Sequence, residues 1–225
     1  MRKLVVAVDG PAAAGKSTVS KALATRLGYL YIDTGALYRA VAWLADRKGI
    51  ADATGPTLGA AVRGADIRLH GSPEHLRVLV EGRDVSSEIR TERISQLASH
   101  LSALPEVRGA LLALQRSLGE RGGVVMDGRD IGTVIFPGAD AKFFIFASPE
   151  VRARRRHAEL LAKGIGSDPD LVRAELEARD RRDAEREHAP LKTADDAVAI
   201  DTTDLDPAAV VARMLSVIHP RLGTG

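Results

Sequence analysis

Cysteine is absent from the 225 residues, so disulfides and thiolate metal sites are excluded. Asparagine is absent too, and glutamine occurs twice. A GTPase switch that reads guanine through an Asn-Lys-x-Asp segment is therefore excluded. The same scarcity, with 25 arginines against 7 lysines, fits heat adaptation and a GC-rich genome equally. Aromatic residues make up 4% of the chain, too few to interleave with basic side chains as a base-stacking surface requires. No one sign of charge dominates: the net charge is +2 although 28% of residues are charged. The pI of about 9.0 favours an acidic partner only slightly, and no nucleic-acid partner is expected. Long apolar runs are missing as well. The opening MRKLVVAVDG is too short for a signal peptide or membrane span, so a cytoplasmic, monomeric protein without a membrane partner is expected.

Apolar residues account for 45% of the chain, enough for a sizeable core. Leu4 to Val8 is a β-branched run bounded by Asp9-Gly10-Pro11, the pattern of a strand buried on both faces. Residues 15–27 carry helical spacing and stop at Gly28. A strand at 29–32, a helix from Asp33 to Gly49, and further strands at 123–126, 142–146 and 197–200 follow. Helical patterns lie at 85–103, 105–119, 150–163, 169–187 and 207–218. Strands alternating with helices predict an α/β fold with a parallel sheet. Residues 64–84 differ, alternating apolar and polar around Gly71-Ser72-Pro73, as in an inserted antiparallel hairpin.

The segment Gly10-Pro11-Ala12-Ala13-Ala14-Gly15-Lys16-Ser17 fits G-x-x-x-x-G-K-[ST] between a strand and a helix, the context this motif needs. Its backbone N–H groups are expected to wrap the phosphates of ATP. Lys16 would neutralise the β- and γ-phosphates, Ser17 would ligate Mg²⁺, and Thr18 would add a hydrogen bond. A binding loop alone does not distinguish a phosphotransferase from an ATPase that has no acceptor. A phosphotransferase needs a second, arginine-rich site. Asp33 to Arg39 (DTGALYR) supplies a candidate near the loop: Asp33 would hold Mg²⁺ through water or cap the helix, and Arg39 could clamp a phosphate bidentately.

Taken together, GPAAAGKST, DTGALYR, SSEIRT, DGRDIGTVIFP and ARDRRDAER closely resemble the bacterial cytidylate kinases, in order and across essentially the whole chain. The resemblance implies a phosphate-loop fold with a five-stranded parallel sheet flanked by helices, an inserted acceptor domain and a mobile lid. The core would comprise 1–33, 97–151 and 187–225, the acceptor domain 34–96, and the lid 152–186. It implies transfer of the γ-phosphate of ATP to CMP or dCMP with Mg²⁺. Tyr38, Arg39 and Arg129 fall where the family binds the acceptor phosphate. Ser99, Arg108 and Asp130 fall around the base, where an acceptor facing the cytosine amino group and a donor facing N3 or O2 suit the chemistry. Arg179 and Asp183 match positions near the sugar, although their i, i+4 spacing also suits an intrahelical ion pair. Arg155, Arg156, Arg182 and Arg186, with Arg129 and Lys16, would neutralise charge on the moving phosphoryl group.

The run Val124-Val125-Met126 surfaces as Asp127-Gly128-Arg129-Asp130. Asp127 is expected near Mg²⁺ through water, with Arg129 toward phosphate and Asp130 toward the base. Two departures from the family stand out: Ala13 replaces a common glycine, which requires a φ that alanine tolerates, and Ser87 stands where an asparagine is expected. A UMP- or AMP-preferring kinase of the same fold, and a non-transferring ATPase, are the rival readings.

Overall fold

The structure is a computed structural model and describes residues 3–73 and 75–222. Strand β1 (Val5–Asp9) lies at the centre of a five-stranded parallel sheet with β2 (Leu30–Asp33), β6 (Val124–Asp127), β7 (Ala141–Phe146) and β8 (Val198–Asp201), in the order β2-β6-β1-β7-β8. Val6, Ala7 and Val8 have no exposed surface, because helices cover both faces of a central parallel strand. The strands before β7 lie on one side of β1 and those from β7 onward on the other, so the connections switch sides at β1. The crevice at the carboxyl ends of such strands is where open α/β sheets bind ligands.

Helix α1 (Lys16–Leu27) starts at Gly15 and ends on left-handed Gly28, whose N–H caps the carbonyls of Ala24 and Thr25. Its start has no side-chain cap and no acidic residue in the first turn, leaving backbone N–H groups open to an anion. Helix α2 (Thr34–Arg47) is capped by Asp33, whose carboxylate accepts the Ala36 N–H at 3.0 Å. Of the two roles weighed for Asp33, the cap is the one seen here.

Helix α3 (Gly55–Arg63) lies where no element was expected; Pro56 at its start supplies the helical φ that opens it. Residues 64–84 form β3 (Ile67–His70), β4 (Arg77–Val80) and the short β5 (Arg83–Asp84) as a separate antiparallel sheet. The continuous helix expected over 85–103 is interrupted. A 3₁₀ turn at Glu88–Arg90 ends at Thr91, which is extended and whose hydroxyl accepts the Ile94 N–H at 3.4 Å, starting α4 (Glu92–Leu101) afresh. Helix α5 (Pro105–Gly119) follows. One apolar core joins α2 and α3 to Ile67, Val78 and Val80, and continues past residue 96 through Leu101, Val107 and Leu111. Helices α6 (Pro149–Ala162) and α7 (Pro169–Glu185) overhang the sheet, and α8 (Pro207–Leu222) closes it behind α1. Among the described residues, no helix is long and apolar enough to cross a membrane.

Candidate active site

A cleft of about 760 Å³ opens at the carboxyl ends of β1, β2 and β6. At one end lies the phosphate loop. Gly10 sits at φ +146°, and a Cβ there would lie 1.9 Å from the Ile145 carbonyl oxygen, so only glycine fits against β7. Ala12 to Thr18 line the cleft, while Gly10 and Pro11 lie behind it. Ala13 adopts φ +57°, the left-handed region, so the expected alanine-compatible φ is not what the loop uses. A side chain there costs about 1–2 kcal/mol.

Lys16 is buried, and its Nζ donates to the Pro11 carbonyl at 2.6 Å. Burial first, then Arg129, push its ammonium down to about 7, against the pull of Asp127. Asp127 closes β6, is 2% exposed, and accepts from the Tyr31 hydroxyl at 3.2 Å. Burial and the neighbouring Asp33 raise it to about 7. Ser17 also hydrogen-bonds to the Asp127 carboxylate. A third strand-end carboxylate went unnoticed in the sequence. Asp9, at the end of β1, accepts the N–H groups of Ile131 and Gly132, both at 2.8 Å. Burial raises it to about 6, although these two amides pull the other way. Asp9 thus ties the loop strand to the GRDIG turn. Its signal was available: it ends a buried strand just before the glycine-rich loop, as Asp127 ends its own.

The turn after β6 is unusual. Ile135 and Phe136 donate to the carbonyls five residues back, Asp130 and Ile131, at 3.1 and 2.7 Å, forming a π turn over Ile131–Ile135, an insertion frequent at functional sites. Arg116 holds its carbonyls at Val134 and Ile135. Gly128 is required by crowding, since a Cβ there would meet Thr34 Oγ1 at 2.7 Å and Ile131 Cδ1 at 2.6 Å. Thr34, another residue the motif reading passed over, donates to the Asp127 carbonyl at 2.7 Å.

The far end of the cleft gathers arginines from three helices and this turn. Arg39 pairs with Asp33 at 2.8 Å, Arg129 with Asp183 at 2.9 Å, and Arg108 with Asp130. Arg186 lies 3.6 Å from Asp130 and 3.8 Å from Asp183. Burial pushes the Asp183 carboxyl up, but Arg129, Arg179 and Arg186 outweigh it and hold it below the usual range. The Arg108 guanidinium lies 5.7 Å from the Tyr38 ring centre. Arg179 differs from the rest. It lines the cleft without a carboxylate within ion-pair distance among the described residues, and its buried Nε has no hydrogen-bond partner. Burial and Arg129 lower it to about 10. Asp183 and Asp180 offset that only in part, and a guanidinium with no directly paired carboxylate suits an anion.

Of the expected residues, Tyr38, Arg39, Arg108, Arg129, Asp130, Arg179, Asp183 and Arg186 share this cleft with the phosphate loop, Asp33 and Asp127. Ser99 is buried outside its lining, where Ser95, Ala98 and Ser102 stand instead. Arg182 is exposed and outside the lining, with Nη2 at 3.5 Å from Ser99 Oγ. Arg156 pairs with Glu92 across the mouth. Arg155 lines the cleft beside the loop, but donates to Thr202 Oγ1 at 3.0 Å and Thr202 O at 2.6 Å. The Thr202 hydroxyl in turn donates to the Ala14 carbonyl at 3.1 Å. Arg90 is exposed on the cleft wall. Thr202 belongs to no motif with a chemical signature, so no local signal marked it, whereas Arg90 lies within SSEIRT and had no role assigned to it.

Strand order, a glycine-hinged loop after the central strand and an open helix start define a phosphate-loop nucleotide-binding fold. A family model described as cytidylate kinase matches residues 6–220. A cytidylate kinase from Geobacter sp. (strain M21) is 51% identical over 222 residues, covering 99% of this chain and 95% of that protein. Another, from Exiguobacterium sibiricum, is 50% identical and covers 99% of this chain and 100% of its own length. The solved structure of an uncharacterised protein from Eubacterium ventriosum ATCC 27560 matches with a TM-score of 0.53 at 10% identity, covering 98% of this chain and 100% of that one; it supports the fold alone. The chain belongs to the cytidylate kinase family.

Proposed function

We propose that the cleft holds ATP at the phosphate loop and the acceptor nucleotide among the arginines opposite. As a cytidylate kinase family member, the chain is a kinase that moves the terminal phosphate of ATP onto CMP. An oxygen of the CMP phosphate attacks the γ-phosphorus, and the bond from that phosphorus to the β–γ bridging oxygen breaks, leaving ADP and CDP. The attacking oxygen is already anionic, so no strong base is needed, and catalysis rests on alignment, charge neutralisation and exclusion of water. The loop amides and Lys16 take the β- and γ-phosphates. Arg39 and Arg129 take the acceptor phosphate, with Tyr38 beside them, and Arg179, which the resemblance set near the sugar, is here assigned to that phosphate as well. The unpaired, half-buried Arg179 carries this assignment, because binding an anion is what would complete its surroundings.

Asp130 is assigned the cytosine amino group. Its carboxylate already faces Arg108 and Arg186, but its oxygens offer about four acceptor sites. Arg108 then donates to N3 or O2 of the base, and Asp183, paired with Arg129, is assigned to the sugar. dCMP is included as an acceptor on the same grounds. Arg155, Thr202, Leu205, Pro207 and Val210 line the end of the cleft beyond Gly15 and are assigned to the donor nucleoside. Residues 34–96 with α4 and α5 act as the acceptor domain, and 152–186 as the lid.

The donor set suits Mg²⁺. Asp127 and the Ser17 hydroxyl offer oxygen ligands only, as Mg²⁺ prefers, and a buried carboxylate raised to about 7 gains from a nearby cation. Both oxygens of Asp33 are engaged, by Ala36 and Arg39, so Asp127 is the stronger candidate for a water-mediated contact. When bound, Mg²⁺ would supply positive charge to the phosphates of ATP, held there by Ser17 and, through water, Asp127. Steady-state rates with CMP, dCMP, UMP and AMP test the whole assignment. CMP and dCMP should be preferred, and a preference for UMP of about tenfold or more contradicts the roles given to Asp130 and Arg108.

A further inference from the structure

The backbone of Ala12, at the start of the phosphate loop, is gripped on both sides of its Cα by the two overhanging helices. Its N–H donates to Asp180 Oδ1 of α7 at 3.2 Å. Its carbonyl accepts from Arg152 Nη1 of α6, also at 3.2 Å. Arg152 and Asp180 are themselves an ion pair, and Arg152 Nε donates to the Ala147 carbonyl at 3.2 Å. Arg152 is 6% exposed, and neither residue lines the cleft. The same three elements share an apolar cluster of Ala12, Ala153, Leu160, Val172 and Leu176, with the Ala13 methyl packed against it.

A buried ion pair by itself adds little net stability. Two hydrogen bonds to the successive peptide groups on either side of Ala12, however, fix a position. Asp180 directly follows Arg179, and successive side chains on a helix point about 100° apart. One residue therefore holds the donor loop while its neighbour faces the acceptor end. We propose that Asp180, with Arg152, is a positioning residue. It sets the distance between the phosphate loop and Arg179, and so holds the donor and acceptor phosphates in line. The proposal rests on the assignment of ATP to the loop and the CMP phosphate to Arg179.

The test uses full-length Asp180→Ala and Asp180→Asn with ATP and CMP. It reads kcat, both KM values, thermal unfolding, and the ratio of inorganic phosphate to CDP formed. For Asp180→Ala, kcat should fall about 10²-fold, the size of effect that a misplacement of roughly 1 Å produces. Both KM values should stay within about threefold, since binding itself is not removed. The ratio of phosphate to CDP should rise, because water competes better for a misaligned γ-phosphate. Asp180→Asn keeps an acceptor for the Ala12 N–H and should lose less; it also supplies the reading should the alanine variant not fold. Variants that keep the wild-type ratio, losing activity only as far as the folded fraction falls, would overturn the proposal and leave a structural clamp. An unsubstituted chain that forms no CDP would instead overturn the assignment beneath it.

Discussion

From Gly10 to Thr18 the phosphate loop spends nine residues on a single charged side chain, Lys16; the rest of its binding capacity is backbone N–H. At the other end of the cleft the backbone contributes little. Charge is delivered by Arg39 from α2, Arg108 from α5, Arg129 and Asp130 from the turn after β6, and Arg179, Asp183 and Arg186 from α7 and its end. On the proposed assignment both ends hold phosphate, yet one is built from consecutive peptide groups and the other from side chains that meet only after folding. Backbone amides wrap any phosphate alike. Side-chain pairs such as Arg108–Asp130 can also discriminate a base by its hydrogen-bonding edge. Generic affinity and selectivity thus occupy opposite ends of one cleft.

The largest expected effect tests the donor end. Lys16→Ala should lower kcat by about 10³-fold or more, as loss of a charge aimed at the transferred phosphoryl does. Thermal unfolding should come no earlier, since burial already disfavours this ammonium. The acceptor end should answer differently. Asp130→Ala should cut kcat/KM for CMP by about 10²-fold while changing the KM for ATP by no more than about twofold. Equal losses for both nucleotides would erase the division between the two ends. Removing Asp130 also leaves Arg108 and Arg186 without their shared carboxylate, so unfolding should occur at lower temperature.

Asp127 stands between the two ends and offers a pH test. Its folded-state value of about 7 lies above the ordinary 3.8, so the folded protein binds the proton more tightly than the unfolded chain. The stability it contributes is therefore full below about pH 4 and declines as the pH rises toward 7. Asp127→Asn should stabilise the nucleotide-free protein more at pH 8 than at pH 5, measured by thermal unfolding, while slowing catalysis. An equal gain at both values would remove burial and Asp33 as the cause. The smallest effect belongs to the loop backbone. Ala13→Gly relieves a φ of +57° but removes a methyl packed against the overhanging helices. Since the two terms oppose, stability should change by no more than about 1 kcal/mol, read from denaturant unfolding.

The contrast between the ends also explains what could be read in advance. The central strand, the loop and α1 are contiguous, and each carries its own signal: a β-branched run, a glycine spacing, a left-handed stop at Gly28. The break at Thr91 was missed because the apolar spacing on both sides is helical. Only the extended backbone and the capping hydroxyl of that threonine separate the 3₁₀ turn from α4. Helix α3 escaped notice because its glycine- and alanine-rich stretch has a weak apolar pattern and takes its place from packing on α5.

By itself the sequence determined the parallel α/β core, the phosphate loop and a set of acceptor arginines, the last through resemblance in several short segments. It did so because strand hydrophobicity and loop glycines act locally. Tertiary structure alone decided which of those arginines are neutralised. Arg39, Arg108 and Arg129 meet carboxylates, Arg182 lies outside the cleft lining with its Nη2 toward Ser99, Arg155 turns to Thr202, and Arg179 has no carboxylate within ion-pair distance among the described residues. It also decided that Asp180 reaches the Ala12 peptide, 168 residues earlier in the chain. No local pattern encodes such a pair, because it exists only once sheet order and helix packing have brought α7 over β1.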